Sequence, residues 1–168
     1  MSITMYQASI PVFAKYLGNL KDILKKAEDH CAAKKIDPAV LLNSRLYPDM
    51  FTLLRQVQIT SDTAKGATCR LAGKEVPAFE DKETTFADLY ARIDKTLEIV
   101  NAAKASEIDG SEEREIVIKP GGREVRFKGQ AYLTHWVMAN FYFHITTAYA
   151  ILRHNGVEVG KMDYLGNV

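Results

Sequence analysis

Four segments of the chain have apolar residues three or four positions apart, the spacing that places them on one face of an α-helix. This pattern predicts long helices over about residues 4–34, 49–71, 86–105 and 131–155. Charged and amide side chains fill the intervening positions and are expected to face water. Because four amphipathic helices bury their apolar faces by packing together, the predicted fold is an all-α four-helix bundle.

One stretch departs from the helical spacing. Residues 115–119 and 124–128 alternate between apolar and polar side chains, and the sequence Pro-Gly-Gly at 120–122 separates them. Alternation on both sides of a glycine turn predicts a β-hairpin. The hairpin is expected to be an insertion between the third and fourth helices of the bundle.

Residues that favour helix ends support these limits. Asp37, followed by proline, predicts the start of a short helical turn, and Thr85 predicts the start of the third helix. Gly73 and Gly156 each suit the left-handed position that follows a helix. The tail over residues 157–168 is predicted to be irregular.

Length and composition narrow the class of protein. The chain has 168 residues, of which 47% are hydrophobic and 26% charged, so a single domain over residues 1–168 is expected. The 22 basic and 21 acidic residues leave a net charge of +1, which gives no reason to expect nucleic acid or a membrane as partner. Without a secretory leader, and with Cys31 and Cys69 forming no metal or redox pair, a cytoplasmic location is predicted.

The last helix carries the candidate site. Asn140 and His144 are four residues apart among apolar neighbours, so they share one face of the helix. His144 is either a core histidine satisfied by neighbours such as Asn140 or Tyr149, or a metal ligand or general base facing the bundle interior. Helix-end or structural roles are expected for the other histidines, which are His30, His135 and His154.

Other polar and aromatic residues also have two interpretations. Arg45 and Asp49 either form an ion pair before the second long helix or line the mouth of a pocket. Asp62 is either exposed or paired with a base inside the bundle. Packing rather than ligand binding is expected for the large aromatic residues of the last helix, Trp136, Tyr142 and Tyr149.

Three motifs resemble a known superfamily. They are Arg45-Leu-Tyr-Pro-Asp-Met50, Asn140-Phe-Tyr-Phe-His144 and Ala148-Tyr-Ala-Ile-Leu-Arg-His-Asn-Gly156. Through them nearly the whole chain resembles a bacterial branch of the DinB/YfiT-like superfamily. The resemblance implies a four-helix bundle that forms a homodimer. Many members of the superfamily bind a metal, and some act as thiol-dependent transferases or hydrolases.

The resemblance also implies where a metal site would lie. The usual ligands are one histidine of the second helix and a His-x-x-x-His pair of the last helix. His144 takes the place of the second histidine of that pair and Asn140 takes the place of the first. Gln56, or alternatively Gln58, takes the place of the second-helix histidine. Two amide oxygens then replace two imidazoles as metal ligands. Asp49 and Asp62 are the acidic residues that could supply a stronger ligand in their place. No cofactor is therefore expected, and zinc or nickel remains the alternative.

Three functions remain open on the sequence. The first is binding of a small molecule in a bundle cavity lined by Gln56, Asn140 and His144, at a degraded metal site. If that site is catalytic, His144 is the acid or base and Asn140 orients it or the substrate. The second is a metal-dependent hydrolase or thiol transferase with an atypical site centred on His144. The third is a non-catalytic dimeric protein with a structural or stress-related role.

Overall fold

The computed structural model describes residues 2–166. The chain forms eight helices, one short 3₁₀ turn, one π-helical segment and two strands within that range. In chain order they are α1 (Ile10–Lys34), α2 (Pro38–Leu42), α3 (Leu53–Leu71), α4 (Phe86–Ala102), α5 (Ala105–Ile108), β1 (Glu115–Ile118), the 3₁₀ turn (Pro120–Gly122), β2 (Val125–Lys128), α6 (Gly129–Ala131), the π-segment (Tyr132–Val137), α7 (Met138–His154) and α8 (Lys161–Leu165).

The four long helices α1, α3, α4 and α7 form the predicted bundle. Helix α3 packs against α4 and α7, while α1 packs against α4 and α7 and carries α8 on its outer side. The largest fully buried side chains come from all four long helices and from the end of α2. They are Phe13, Leu17, Leu20, Ile23, Leu24, Leu42, Leu53, Leu71, Phe86, Leu89, Ile93 and Phe141.

The predicted hairpin is present between α5 and α6. Strands β1 and β2 are antiparallel, with Glu115 opposite Lys128 and Ile118 opposite Val125. At the turn, Gly121 has a φ of 58°, a left-handed conformation that glycine adopts at little cost. Ile118 of β1 is buried, so one face of the hairpin packs on the bundle. A two-stranded sheet needs such packing to be stable.

Several predicted boundaries are wrong by a few residues. The first helix begins at Ile10 because its second position is a proline, and α3 begins at Leu53 because the Thr52 hydroxyl caps it. The third predicted helix ends at Ala102 rather than at residue 105, and the short helix α5 follows it. The short turn after Asp37 and the helix start at Thr85 are confirmed.

The predicted irregular tail contains a helix, so that prediction is wrong for residues 161–165. The Asp163 carboxylate accepts a hydrogen bond from the Gly160 backbone N–H at 2.7 Å, which caps the start of α8. Capping and packing on α1 hold this five-residue helix, whose length is too short to give a periodic signal. Residues 167–168 of the predicted tail lie outside the described residues.

The start of the last helix also differs from the prediction. A continuous α-helix was expected from residue 131, whereas Tyr132–Val137 form a π-helical segment. Apolar spacing does not distinguish a π-turn from the α-turns that flank it, since the two patterns differ by a single residue. No helix within residues 2–166 combines the length and apolar character needed to cross a lipid bilayer.

Candidate functional site

Two of the three predicted site residues meet in the bundle interior. Gln56 on α3 and His144 on α7 are joined by a hydrogen bond of 2.7 Å between Gln56 Oε1 and His144 Nδ1. Their exposed fractions are 1% and 8%, so the bond is shielded from water. A buried imidazole is thereby satisfied at one nitrogen, as burial of a polar ring requires.

The surroundings of Gln56 determine which ring nitrogen of His144 carries the proton. Gln56 Nε2 donates to the backbone carbonyl of Phe51 at 3.3 Å, so the amide nitrogen faces that carbonyl and the amide oxygen faces the imidazole. An amide oxygen only accepts hydrogen bonds, and Nδ1 must therefore be the donor. In the neutral ring Nε2 then carries the lone pair.

His144 is held in its neutral form. Burial lowers the pKa of His144 below its ordinary value, and the positive charge of Arg55 lowers it further. Within residues 2–166, Nε2 has no hydrogen-bond partner of its own. The ring thus presents an unengaged lone pair, which can accept a hydrogen bond, take a proton or bind a cation.

Asn140 is on the predicted face but does not join this pair. Its Nδ2 donates to the backbone carbonyl of Trp136 at 2.7 Å, one turn earlier in the same chain segment. Tyr149, the other predicted partner of His144, packs against Tyr164 with ring centroids 5.9 Å apart. The partner of His144 is therefore Gln56 rather than Asn140 or Tyr149.

Gln58, the alternative on α3, lies in a different network. Its Nε2 donates to Glu83 Oε2 at 2.7 Å, and its Oε1 accepts from Arg55 at 3.0 Å. Two residues along a helix correspond to about 200° of rotation, so Gln56 and Gln58 face different neighbours. Of the two glutamines, only Gln56 contacts His144 within the described part of the chain.

Two exposed aromatic residues contact the Gln56–His144 pair, Phe143 through its ring and Phe51 through its backbone carbonyl. The Phe143 ring meets the imidazole edge to face at 5.2 Å between centroids, and 56% of Phe143 is exposed. Phe51, whose carbonyl binds Gln56, is 54% exposed. A buried polar pair beside exposed aromatic residues has the mixed polar and apolar composition of a small-molecule site.

The donor set at this position does not fit zinc or nickel. Gln56 Oε1 is occupied by the imidazole N–H, and Asn140 offers only an amide oxygen. Zinc prefers nitrogen and sulfur ligands, of which His144 Nε2 is one. Nor do His, Cys, Asp and Glu side chains anywhere in residues 2–166 form a group of three that could hold a metal ion.

A buried arginine is the main feature that the sequence reasoning missed. Arg92 on α4, 4% exposed, lies 2.8 Å from Glu83, 2.9 Å from Asp62 and 3.1 Å from Asp81. Asp62 also pairs with Lys65 at 2.9 Å, so of its two predicted states the paired one is found. Arg92 follows Leu89 by three residues and thus falls in the apolar stripe, a signal that was available.

This network orders the loop between α3 and α4. Burial alone would raise the pKa of Glu83, but hydrogen bonds from Arg92 and Gln58 outweigh it and lower that pKa. The loop residue Phe79 places its ring 3.8 Å from Lys65 Nζ and 4.3 Å from Lys95 Nζ. The charges thus serve to hold the loop against the two helices.

The remaining predicted residues have structural positions. Arg45 donates to the backbone carbonyl of Pro48 at 3.2 Å and forms no ion pair with Asp49 in the described chain. His135 and His154 are exposed and His30 is half-buried. Cys31 and Cys69 are buried and unpaired, and burial raises the pKa of both thiols.

Comparison with known proteins gives the family. The domain family described as "Domain of unknown function (DUF1993)" matches residues 5–165. The crystal structure of a DinB family member from Shewanella denitrificans is 44% identical in sequence and superposes with a TM-score of 0.91, covering 97% of this chain and 92% of that one. No curated protein matches the sequence. The chain belongs to the DUF1993 family and is a member of the DinB family of helical bundles.

Proposed function

We propose that the protein binds a small molecule at His144, with Gln56 fixing the imidazole and Asn140 at the edge of the same helix face. The observation that carries the proposal is the buried hydrogen bond of 2.7 Å between Gln56 Oε1 and His144 Nδ1. It selects the tautomer whose lone pair is on Nε2. A rigid acceptor prepared in this way favours one orientation of a bound donor.

The chemistry of the site indicates the kind of ligand. A hydroxyl, amide or ammonium group would donate to His144 Nε2, since a neutral imidazole nitrogen with a lone pair is an acceptor. The exposed rings of Phe51 and Phe143 would cover an apolar part of the same molecule. We therefore infer a ligand that carries one hydrogen-bond donor on an apolar body.

The same arrangement is suited to general base catalysis. A base must be unprotonated at the working pH, and the lowered pKa of His144 meets that condition. Gln56 would stabilise the ring orientation, and Asn140 would orient the substrate. Unlike a carboxylate, the neutral Gln56 amide adds little stabilisation to an imidazolium, so the base would be weak.

The tautomer is tested by NMR of the histidine rings in ¹⁵N-labelled protein at pH 7. We expect His144, identified by its loss in His144→Gln, to be neutral and protonated at Nδ1. In Gln56→Leu the preference for Nδ1–H should disappear, whereas Asn140→Ala should leave it unchanged. An Nε2–H tautomer, or a charged ring at pH 7, would contradict the proposal.

Ligand binding and metal content are measured on the natural chain and on variants of His144. Ligand-observed NMR with small amphipathic alcohols and amides should find binders that lose affinity in His144→Gln while the melting temperature stays close to that of the natural chain. Elemental mass spectrometry of tag-free protein purified without chelator should find well below one metal ion per chain. A stoichiometric metal that is lost in His144→Ala would replace this proposal with a metal-dependent enzyme.

A further inference from the structure

A cavity lies along the contact between α3 and the start of the last helix, away from His144. Its volume is about 510 Å³, and its walls are α3, the π-segment and the turn of the hairpin. Arg70, which lines it, follows Gln56 by 14 residues on α3, about 21 Å at 1.5 Å per residue. Gln56, Asn140 and His144 are not among the described residues that line the cavity, so it is separate from the site proposed above.

Arg70 supplies an uncompensated positive charge. Its guanidinium pairs with no carboxylate within residues 2–166, and its Nη1 donates to the Tyr132 hydroxyl at 3.1 Å. Gly66 leaves room for the Arg70 guanidinium, because a Cβ at residue 66 would overlap Arg70 Nη1. The guanidinium is thus held in place while most of its donors remain unengaged.

Tyr132 adds a second donor at the same end of the cavity. The residue is 2% exposed, and its hydroxyl oxygen accepts from Arg70. Burial raises the pKa of Tyr132, although Arg70 opposes this, so the phenol stays protonated at neutral pH. Its proton has no acceptor in the described part of the chain.

The charge balance of the cavity favours an anion. Lys119 adds a second cation at the hairpin rim, only loosely paired with Glu124 at 3.7 Å. Among the described residues that line the cavity, Asp62 is the only acid, and it is 2.9 Å from both Arg92 Nη2 and Lys65 Nζ. The Asp62 charge is therefore already compensated.

Part of the cavity wall is aromatic and apolar. Trp136 and Ile118 both line it, and Trp136 packs against Phe127 with ring centroids 5.8 Å apart. We propose that this cavity binds a small aromatic carboxylate, which accepts hydrogen bonds from Arg70 and from the Tyr132 hydroxyl and packs its ring against Trp136. A guanidinium fork matches a carboxylate in two parallel hydrogen bonds, and indole offers a face for stacking.

Trp136 provides the measurement, because it is the only tryptophan in the chain. Benzoate is titrated into the protein while tryptophan fluorescence is recorded, with benzyl alcohol as the uncharged probe of similar shape. We expect a saturable change with benzoate. Benzyl alcohol should bind at least about 10-fold more weakly, a difference of 1.4 kcal/mol.

Two variants test the anchor by independent routes. Arg70→Gln removes the charge, and Gly66→Ala displaces the Arg70 guanidinium while favouring the helix. Each should weaken benzoate binding by about 10-fold or more. Arg126→Gln, on the outer side of the hairpin, is the matched control and should bind benzoate normally. Circular dichroism verifies the fold of each variant.

Two results would overturn the inference. One is the absence of a saturable fluorescence change at millimolar benzoate. The other is unchanged benzoate affinity in correctly folded Arg70→Gln or Gly66→Ala.

Discussion

At the scale of single residues, His144 links the stability of the fold to pH. Its pKa is lower in the folded chain than in the unfolded chain, because burial and Arg55 disfavour the charged ring. As pH falls below the unfolded value of about 6.5, the unfolded chain takes up a proton that the folded chain does not. The folded state therefore loses stability in that direction.

The free energy of unfolding should fall between pH 6.5 and the lower pKa of His144, with a slope of at most about 1.4 kcal/mol per pH unit. His144→Gln should remove this part of the slope, and His135→Gln, at an exposed histidine, should retain it. Urea denaturation at several pH values measures both. An unchanged slope in His144→Gln would show that other groups are responsible.

The sequence allowed part of this site to be predicted. The face of His144 followed from helical spacing and the candidate site residue Gln56 from family resemblance, and the structure joins the two by a hydrogen bond that was not predicted. The position of the Asn140 amide could not be predicted, because its own helix offers the Trp136 carbonyl as a competing acceptor. Local competition of this kind depends on backbone geometry that residue types do not encode.

At the scale of elements, the hairpin is fixed by a close approach of two backbone segments. A Cβ at Gly129 would overlap the backbone carbonyl of Ser111, and the next residue, Gln130, donates to the carbonyl of Glu112 at 2.9 Å. Backbone atoms cannot move aside as a flexible side chain can. Gly129 thus holds the end of β2 against the segment that leads into β1.

Gly129→Ala should lower the free energy of unfolding by about 2 kcal/mol, within the range for overpacking of a buried position. Gly18→Ala in α1 is the control, since nothing lies within 4 Å of a Cβ there. Because alanine favours a helix over glycine, the control should gain up to about 1 kcal/mol. Urea denaturation compares the two, and equal effects would contradict the close approach as the cause.

The elements themselves were largely predictable. Four long helices and the hairpin follow from two different periodicities of apolar residues, and the structure confirms them. Helix α8 and the π-segment were missed because neither has a periodic signal of sufficient length. Their positions depend on packing against residues distant in the sequence, which a local pattern does not report.

At the scale of the whole molecule, α8 connects the end of the chain to α1 and α7. The Tyr164 ring lies 5.4 Å from that of Tyr16 and 5.9 Å from that of Tyr149, and its hydroxyl accepts from Thr146 at 3.0 Å. The Tyr164 carbonyl accepts from Asn19 at 2.9 Å. One residue of a five-residue helix thus contacts two helices of the bundle.

Tyr164→Ala should lower the free energy of unfolding by about 2 kcal/mol, because each aromatic pair contributes about 0.5–1.5 kcal/mol beyond the area it buries. Met162→Ala, in the same helix and 63% exposed, is the control and should stay within about 0.5 kcal/mol. Thermal and urea denaturation test both. A similar loss of stability in the two variants would indicate that the helix propensity of α8, rather than the Tyr164 contacts, determines the free energy of unfolding.

Assembly belongs to the same scale and stays a prediction. The homodimer implied by the family resemblance concerns surfaces that a single chain does not define. Light scattering after size-exclusion chromatography measures the oligomeric state directly.

The predicted family is confirmed, since a DinB family member superposes on nearly the whole chain.

The π-segment has a consequence for how relatives of this protein can diverge. A π-turn is equivalent to one residue inserted into an α-helix, and each residue contributes about 100° of rotation. In a regular helix Tyr132 and His144 would be about 120° apart in angular phase, whereas the insertion brings them to within about 20°. Loss of one residue here would restore a regular α-helix, in which Tyr132 and His144 keep this relative orientation. A single-residue gap in an alignment of relatives would then mark the loss of the π-turn and leave the helix faces of Tyr132 and His144 unchanged.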